Sequence, residues 1–276
     1  MARPGDNARG PTAGVELPEA FQPIAVRSPA DGRVRFALRC LLDLQLLTIY
    51  RFLRTELPAC RGRVLDVGAG ESPWRPLLKQ AQYVGIDVEG AGEFGMERKH
   101  DIIYYDGKTI PFADGSFDHV LCVEVLEHVP DPAAFLAEIA RALRHDGTLV
   151  LTVPWSARLH HLPHDYGRFT RYGLASLLGR AGFASVRIDE RGNDVAAVAN
   201  TLVVMAVRLL RPQRALSIVW TWPLAVIVAP VAAAFVIAAQ LSLLWRLGAR
   251  EDPLGYGVVA VKPRPAAPPA TATAST

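Results

Sequence analysis

Cysteine is scarce in this chain of 276 residues: Cys40, Cys60 and Cys122 stand apart, without CxxC or metal-ligand spacing. That pattern excludes a redox pair or a cysteine-built metal site and suits a reducing, cytoplasmic setting. Charge imbalance is equally slight, and a formal net charge of +3 is too small to argue for a nucleic-acid partner. A Gly-Lys-Ser/Thr pair is missing, which removes a Walker-type phosphate loop. Charge is absent altogether from Ala215 to Trp245, a run of 31 positions. This run helps to explain why half of all residues are hydrophobic and the mean hydropathy is +0.18. The length suffices for one α/β domain with a sizeable core.

Two apolar runs carry the first positive signal. Val64-Leu65-Asp66-Val67-Gly68-Ala69-Gly70 is a short β-branched stretch ending in glycines, and Tyr83-Val84-Gly85-Ile86-Asp87 follows it. Both read as buried parallel strands. Gly68 and Gly70 let the backbone turn sharply and approach a ligand. Asp87 lies 21 positions after Asp66, where an acidic residue commonly accepts ribose hydroxyls. A dinucleotide fingerprint needs a third glycine, but Pro73 holds that place and removes an N–H from the expected helix start. A ligand with a ribose and no phosphate fits better, which disfavours a nicotinamide-dependent oxidoreductase.

Five ordered segments resemble the class I S-adenosylmethionine-dependent methyltransferases, in particular their small-molecule and lipid group. Residues 64–70 look like the first motif of that family and Gly85-Ile86-Asp87 like the second. Asp106-Gly107 and Ile110 to Asp118 resemble its adenine-contacting loop and the lead into strand four. Cys122 to Pro132 is similar to its signature after that strand, and Gly147 to Pro154 to strand five. The resemblance spans about 64–190. It implies S-adenosyl-L-methionine as cofactor, held by Asp66, Val67, Gly68, Ala69, Gly70, Asp87, Val88, Asp106, Gly107, Val123, Glu124 and His128. Glu124 and His128, four apart, are expected on one helical face lining the cofactor. Glu71 either approaches the cofactor's amino group or complements a helix dipole.

The expected fold is a Rossmann-like, seven-stranded, mostly parallel sheet with helices on both faces. A methyltransferase domain over 33–192 would be completed by a last strand near 255–263. Residues 1–32 and 264–276 read as disordered tails, the former lacking the apolar core of a signal peptide. Phe36 to Leu57 reads as one helix that either covers the pocket or packs on the sheet. Ala133 to Leu143 reads as a helix ended by His145-Asp146-Gly147. Thr170 is the expected N-cap of a helix over Arg171–Arg180, stopped at Gly182, with strands at Ala184–Ile188 and Gly257–Val261.

An apolar insertion over 193–252 separates those last two strands. Its uncharged run exceeds the roughly 20 residues of a membrane span, with Trp220, Trp222 and Trp245 near its ends. Both flanking strands belong to one sheet, so a single span is excluded. Pro223 and Pro230 suggest a helix–break–helix hairpin dipping into one leaflet. Two full spans, or a soluble pocket cap or dimer interface, are the alternatives. Arg208, Arg211 and Arg214 would meet anionic headgroups or form an ordinary basic turn.

The loop after strand five, His160-His161-Leu162-Pro163-His164-Asp165-Tyr166-Gly167-Arg168-Phe169-Thr170, should overhang the cofactor's methyl group. The resembling family often carries His-Asp-Tyr/Trp-x-Arg-x-Thr here. His161, His164 and Asp165 are the catalytic candidates, a histidine serving as base where the acceptor must lose a proton. The other reading has His164-Asp165 pinning the loop and Arg168 pairing with Asp165. Three histidines in five positions raise metal binding, but no carboxylate or cysteine constellation is apparent around them, so no metal is expected. The sequence thus points to a methyltransferase at the cytoplasmic face of a membrane, acting on a lipid, quinone or polyprenyl-linked glycan. A catalytically silent membrane scaffold and a methyltransferase of a soluble small molecule are the other readings.

Overall fold

The computed structural model describes residues 23–212 and 215–265; of the expected tails 1–32 and 264–276, residues 1–22 and 266–276 lie outside the described residues, as does Arg214. Seven strands form one sheet: β1 (Gly62–Val67), β2 (Ala81–Val88), β3 (Ile102–Tyr105), β4 (Phe117–Val123), β5 (Leu143–Pro154), β6 (Ser185–Arg191) and β7 (Gly255–Val261). Their order is β3-β2-β1-β4-β5-β7-β6. All pairings are parallel except those of β7, which runs antiparallel between β5 and β6. The order reverses between β1 and β4, and a crevice opens at such a switch point beyond the strands' carboxyl ends.

Alternation along the central strands assigns the two faces. Leu65, Val67, Val120, Cys122, Leu149 and Leu151 enter one core, closed by α3 (Pro132–Ala142) and α4 (Arg171–Arg180). Val64, Leu121 and Val150 enter the other, covered by α1 (Arg33–Leu42) and α2 (Leu44–Glu56). The N-terminal helix is therefore a sheet-packing element, and none of its residues lines the crevice. It is also two helices. Asp43 breaks it, capping α2 by accepting from Leu46 N–H at 3.0 Å while Arg39 Nε donates to its other oxygen at 3.2 Å.

Further differences have local causes. The helix expected around Pro73 is only a 3-10 turn, Arg75–Leu77; Ser72 is left-handed (φ 52°), and Pro73 and Pro76 deny the short connection its N–H donors. α3 ends at Ala142 rather than through Leu143. That leucine is extended, fully buried, and already paired with Phe117, so the tight turn at left-handed Asp146 lies inside β5. Thr170 caps α4 as expected, accepting from Gly173 N–H at 3.0 Å, and Gly182 follows with φ 94°.

The insertion folds as two helices, α5 (Asp194–Leu210) and α6 (Ile218–Trp245). The expected break within 215–245 is absent: α6 continues through Pro223 and Pro230 for 28 residues, about 42 Å at 1.5 Å per residue. Its buried residues Ala225, Ala232, Val236, Ala239 and Ser242 recur at sevens, fours and threes, a seam of mostly small side chains. Ala196, Ala197 and Ala199 on α5 join Val236 and Ala239 in one cluster with Leu44 and Leu254. Close packing along α5 accompanies the continuity of α6 through its prolines. The outward face is bare. Val219, Trp220, Val226, Ile227 and Ile237 are all more than 60% exposed, and only 22% of the most apolar stretch of α6 is buried.

Asn193 fastens this hairpin to the sheet. Its buried Oδ1 accepts from Ala196 N–H at 2.9 Å, and its Nδ2 donates to Leu247 O at 2.6 Å and Ser242 Oγ at 3.1 Å. Asn193→Ala should therefore cost about 2 kcal/mol, a cap plus an orphaned carbonyl. That corresponds to a melting temperature about 4–8 °C lower in a thermal unfolding scan of the purified protein.

Candidate active site

A cavity of about 680 Å³ opens at the switch point, within the range of small-molecule sites. Of the residues assigned to the cofactor from sequence, Val67, Gly68, Gly70, Asp87, Val88, Asp106, Gly107, Glu124 and His128 line it. Asp66, Ala69 and Val123 do not. Asp66 lies beneath, buried, accepting from Tyr83 Oη at 2.8 Å, and burial lifts its carboxyl to about 7. The wall also includes Phe94, Met96, Tyr105 and Phe135, which lie outside the matched motifs, and Val125, which lies within one but was not assigned to the site. Tyr105 was the most accessible of these, since it closes a strand immediately before Asp106.

Backbone chemistry shapes the floor. Gly68 and Ala69 N–H both donate to Ile86 O at 3.0 Å, folding the glycine turn onto β2. Gly68 has φ 73°, and a Cβ there would lie 2.4 Å from Val125 Cγ2. Only glycine keeps that passage open. Asp87 Oδ2 accepts from Gly70 N–H at 2.8 Å and Oδ1 from Val88 N–H at 2.7 Å. Burial raises this carboxyl, and the two N–H groups partly counter it. Each oxygen keeps a second lone pair for a ligand hydroxyl. Asp106 Oδ1 accepts from Lys108 and Thr109 N–H at 2.8 and 3.0 Å, so that loop is preset as well. Glu71, considered for the cofactor's amino group, pairs instead with Lys99 at 2.9 Å.

The segment after β4 is not the helix expected. Glu124 is left-handed (φ 53°), its N–H donating to Thr152 O, and a 3-10 turn over Leu126–His128 follows before Pro130 and Pro132. Glu124 and His128 still face one cavity, through a tight turn in place of helical spacing. Glu124 Oε1 accepts from Arg191 Nη2 at 2.7 Å.

The histidine loop straps over this turn. Tyr166 and Gly167 N–H donate to Glu127 O at 2.8 and 3.2 Å. Asp165 is buried, taking Arg168 at 2.6 and 2.8 Å and His160 N–H at 3.0 Å. Burial pushes its carboxyl up, but bonds from His160 and Arg168 overcome this and hold it well below the usual range. Its place is that of a loop anchor, away from the cavity wall. His164 reaches Glu93 Oε2 through Nε2 and Tyr166 Oη through Nδ1, both at 3.2 Å. Of the three catalytic candidates His161 alone lines the cavity.

Comparisons with known proteins agree with this geometry. Residues 65–151 match a family model described as a methyltransferase domain. The chain is 33% identical over 163 residues to the ubiquinone biosynthesis O-methyltransferase of Thiobacillus denitrificans, a match covering 48% of this chain and 68% of that protein. Over 115 residues it is 36% identical to phthiotriol/phenolphthiotriol dimycocerosates methyltransferase 1 of Mycobacterium ulcerans. That match covers 38% of this chain, and the chain spans 42% of the length of that relative. A Thermotoga maritima structure, a SAM-dependent methyltransferase described as a possible histamine N-methyltransferase, shares the fold. Its TM-score is 0.50 at 15% identity, covering 85% of this chain and 96% of that one. The chain belongs to the class I S-adenosylmethionine-dependent methyltransferases. The cofactor of that family carries a ribose, an adenine and a charged methionine tail, and the glycine floor, the paired lone pairs of Asp87 and the apolar walls fit such a molecule.

Asp87→Ala should weaken S-adenosylmethionine binding by about 1.5–3 kcal/mol, roughly 10- to 150-fold in Kd. Gly68→Val should weaken it further, through both φ and the collision with Val125. Calorimetric titration checks both; wild-type affinity in the two variants would remove the assignment.

Proposed function

We propose that this protein transfers the S-adenosylmethionine methyl group to an acceptor presented by a membrane: a lipid, a quinone or a polyprenyl-linked glycan. The observation that carries this reading is positional. β6 runs parallel to β5, β4 and β1, so the hairpin that follows Arg191 leaves the sheet at the carboxyl edge where the cavity opens. The names of the relatives, one for ubiquinone biosynthesis and one for phthiotriol dimycocerosates, support hydrophobic acceptors.

The hairpin is proposed to seat within one leaflet from the cytoplasmic side. The charge-free part of α5, Val195 to Val207, is about 20 Å long, short of a hydrocarbon core of about 30 Å. Arg208 and Arg211, exposed near the turn, would meet headgroups. Exposed Leu38, Leu41 and Leu42 on α1 extend the apolar surface, since Gln240 of α6 donates to Cys40 O and Leu41 O at 3.1 and 3.0 Å. In the reaction the cofactor supplies an electrophilic methyl, and the chain's task is to position the acceptor in line with it while excluding water. His161 is proposed to meet the accepting atom and take its proton where it carries one.

Two experiments test this. Val219→Lys, Val226→Lys and Ile237→Lys, combined, change exposed positions only and each adds about 2.5–3.5 kcal/mol against insertion. The variant should keep cofactor affinity, leave the membrane fraction and stop labelling lipid extracts from methyl-labelled cofactor. A wild-type protein that is soluble and monodisperse without detergent would make the helix an interface or a pocket cap instead. Separately, His161→Asn should lower kcat by about 10²- to 10⁴-fold at unchanged cofactor affinity. Near-normal turnover would leave that loop a positioning role only.

A further inference from the structure

Beside the cofactor cavity lies a buried carboxylate that the methyl-transfer reading does not use. Glu127 is fully buried, and neither of its side-chain oxygens has a hydrogen-bond partner. Native folds rarely leave such a group alone. Its shortest ionisable contact is His128 Nε2, 3.7 Å from Oε1. Among the described residues, Glu127, His128 and His160 form a group whose donor atoms, one from each, lie within 4.8 Å of one another. A tetrahedral zinc site with bonds of about 2.0–2.1 Å separates its donors by about 3.3 Å, so a closure of at most about 1.5 Å between donors would complete it.

The second layer of contacts sets both imidazoles for this use. His128 Nδ1 lies 2.6 Å from His164 O, and a carbonyl only accepts, so the proton sits on Nδ1 and Nε2 keeps its lone pair. His160 Nδ1 lies 3.1 Å from Arg158 O and 3.2 Å from Asp165 Oδ2, again two acceptors, which frees its Nε2 in the same way. Carboxylate or carbonyl behind imidazole is how metal-bound histidines are oriented. The Asp165 carboxylate is in turn fixed by Arg168.

We propose that Glu127, His128 and His160 are a binding site for one divalent cation of the zinc class, set in the wall of the cavity where His128 is exposed to it. Two imidazoles and one carboxylate suit zinc or its neighbours over magnesium or calcium, which prefer all-oxygen shells. Three protein ligands leave a fourth coordination position for water or an acceptor oxygen. The site also ties the strap bearing His160 to the turn after β4. It does not depend on the membrane reading, and it can fail while cofactor binding stands.

The test uses the full chain, stripped of metal by a chelator and titrated with Zn²⁺ against a chromophoric competitor, and with Co²⁺ followed by its visible ligand-field bands. One equivalent should bind, and Zn²⁺ should raise the melting temperature. Glu127→Gln, which keeps shape and removes charge, and His160→Asn should each weaken Zn²⁺ by more than about 100-fold, exceeding the usual effect of losing an outer contact. His100→Asn and His145→Asn, at exposed positions, should bind as the wild type does. Absence of stoichiometric Zn²⁺ binding by the wild type overturns the proposal whatever the variants do. Equal affinity in wild type and Glu127→Gln does the same.

Discussion

The guanidinium of Arg191, at the end of β6 and only 2% exposed, ties together three neighbouring parts of the molecule. Its Nη2 donates to Glu124 Oε1 at 2.7 Å and Val153 O at 2.9 Å, and its Nε donates to Tyr256 O at 3.1 Å. Those acceptors are the cavity wall, the end of β5 and the start of β7. A buried guanidinium is costly unless its donors are taken up, and here a carboxylate and two carbonyls do so. The arrangement requires Gly255, where a Cβ would stand 2.4 Å from both Arg191 Nη2 and Val153 O. Two residues further on, Asn193 begins the hairpin. The cofactor wall, the antiparallel strand and the root of the apolar insertion are thus fixed by one cation and one glycine.

Much of this architecture was legible because the signals were local. Alternating apolar residues with terminal glycines gave β1 and β2, and a threonine three residues before a glycine N–H gave the α4 cap. The floor of the cavity was legible for the same reason: Gly68, Gly70 and Asp87 stand at strand ends, which motif spacing records. Asp66 and Val123 were misplaced relative to the cavity because strand alternation turns them away from it, a distinction that a motif spanning both faces does not carry.

Where expectation and structure differ, a long-range contact decided the outcome. The continuous helical stripe from Phe36 gave no warning that Asp43 would accept from Arg39 and Leu46 together and split it. Glu124 and His128 have helical spacing, yet Glu124, whose N–H donates to Thr152 O, is itself left-handed, and a 3-10 turn leads on to His128. Pro223 and Pro230 are sound local reasons to break a helix, outweighed by the packing of α5 against α6. Glu127, 33 residues before His160 in sequence, is brought beside the histidines by the loop whose Tyr166 and Gly167 N–H donate to its carbonyl.

The apolar hairpin remains the largest departure from an ordinary soluble domain. About a dozen large apolar side chains on α6 face outward, from Val219 to Trp245. Covering each completely is worth about 1.5–3 kcal/mol, and covering them in part still sums to roughly 10 kcal/mol or more. No single headgroup contact approaches that, so in the proposed reading attachment is governed by the hydrophobic face and the arginines set depth. Rigidity then matters as much as affinity. In that reading, because Asn193 and Arg191 lie two residues apart and Arg191 bonds Glu124, the height of the membrane surface relative to the cofactor's methyl group would be set by the fold. A long apolar acceptor would then need no more than to slide along that surface to reach the site, and its reacting end alone would have to leave the lipid.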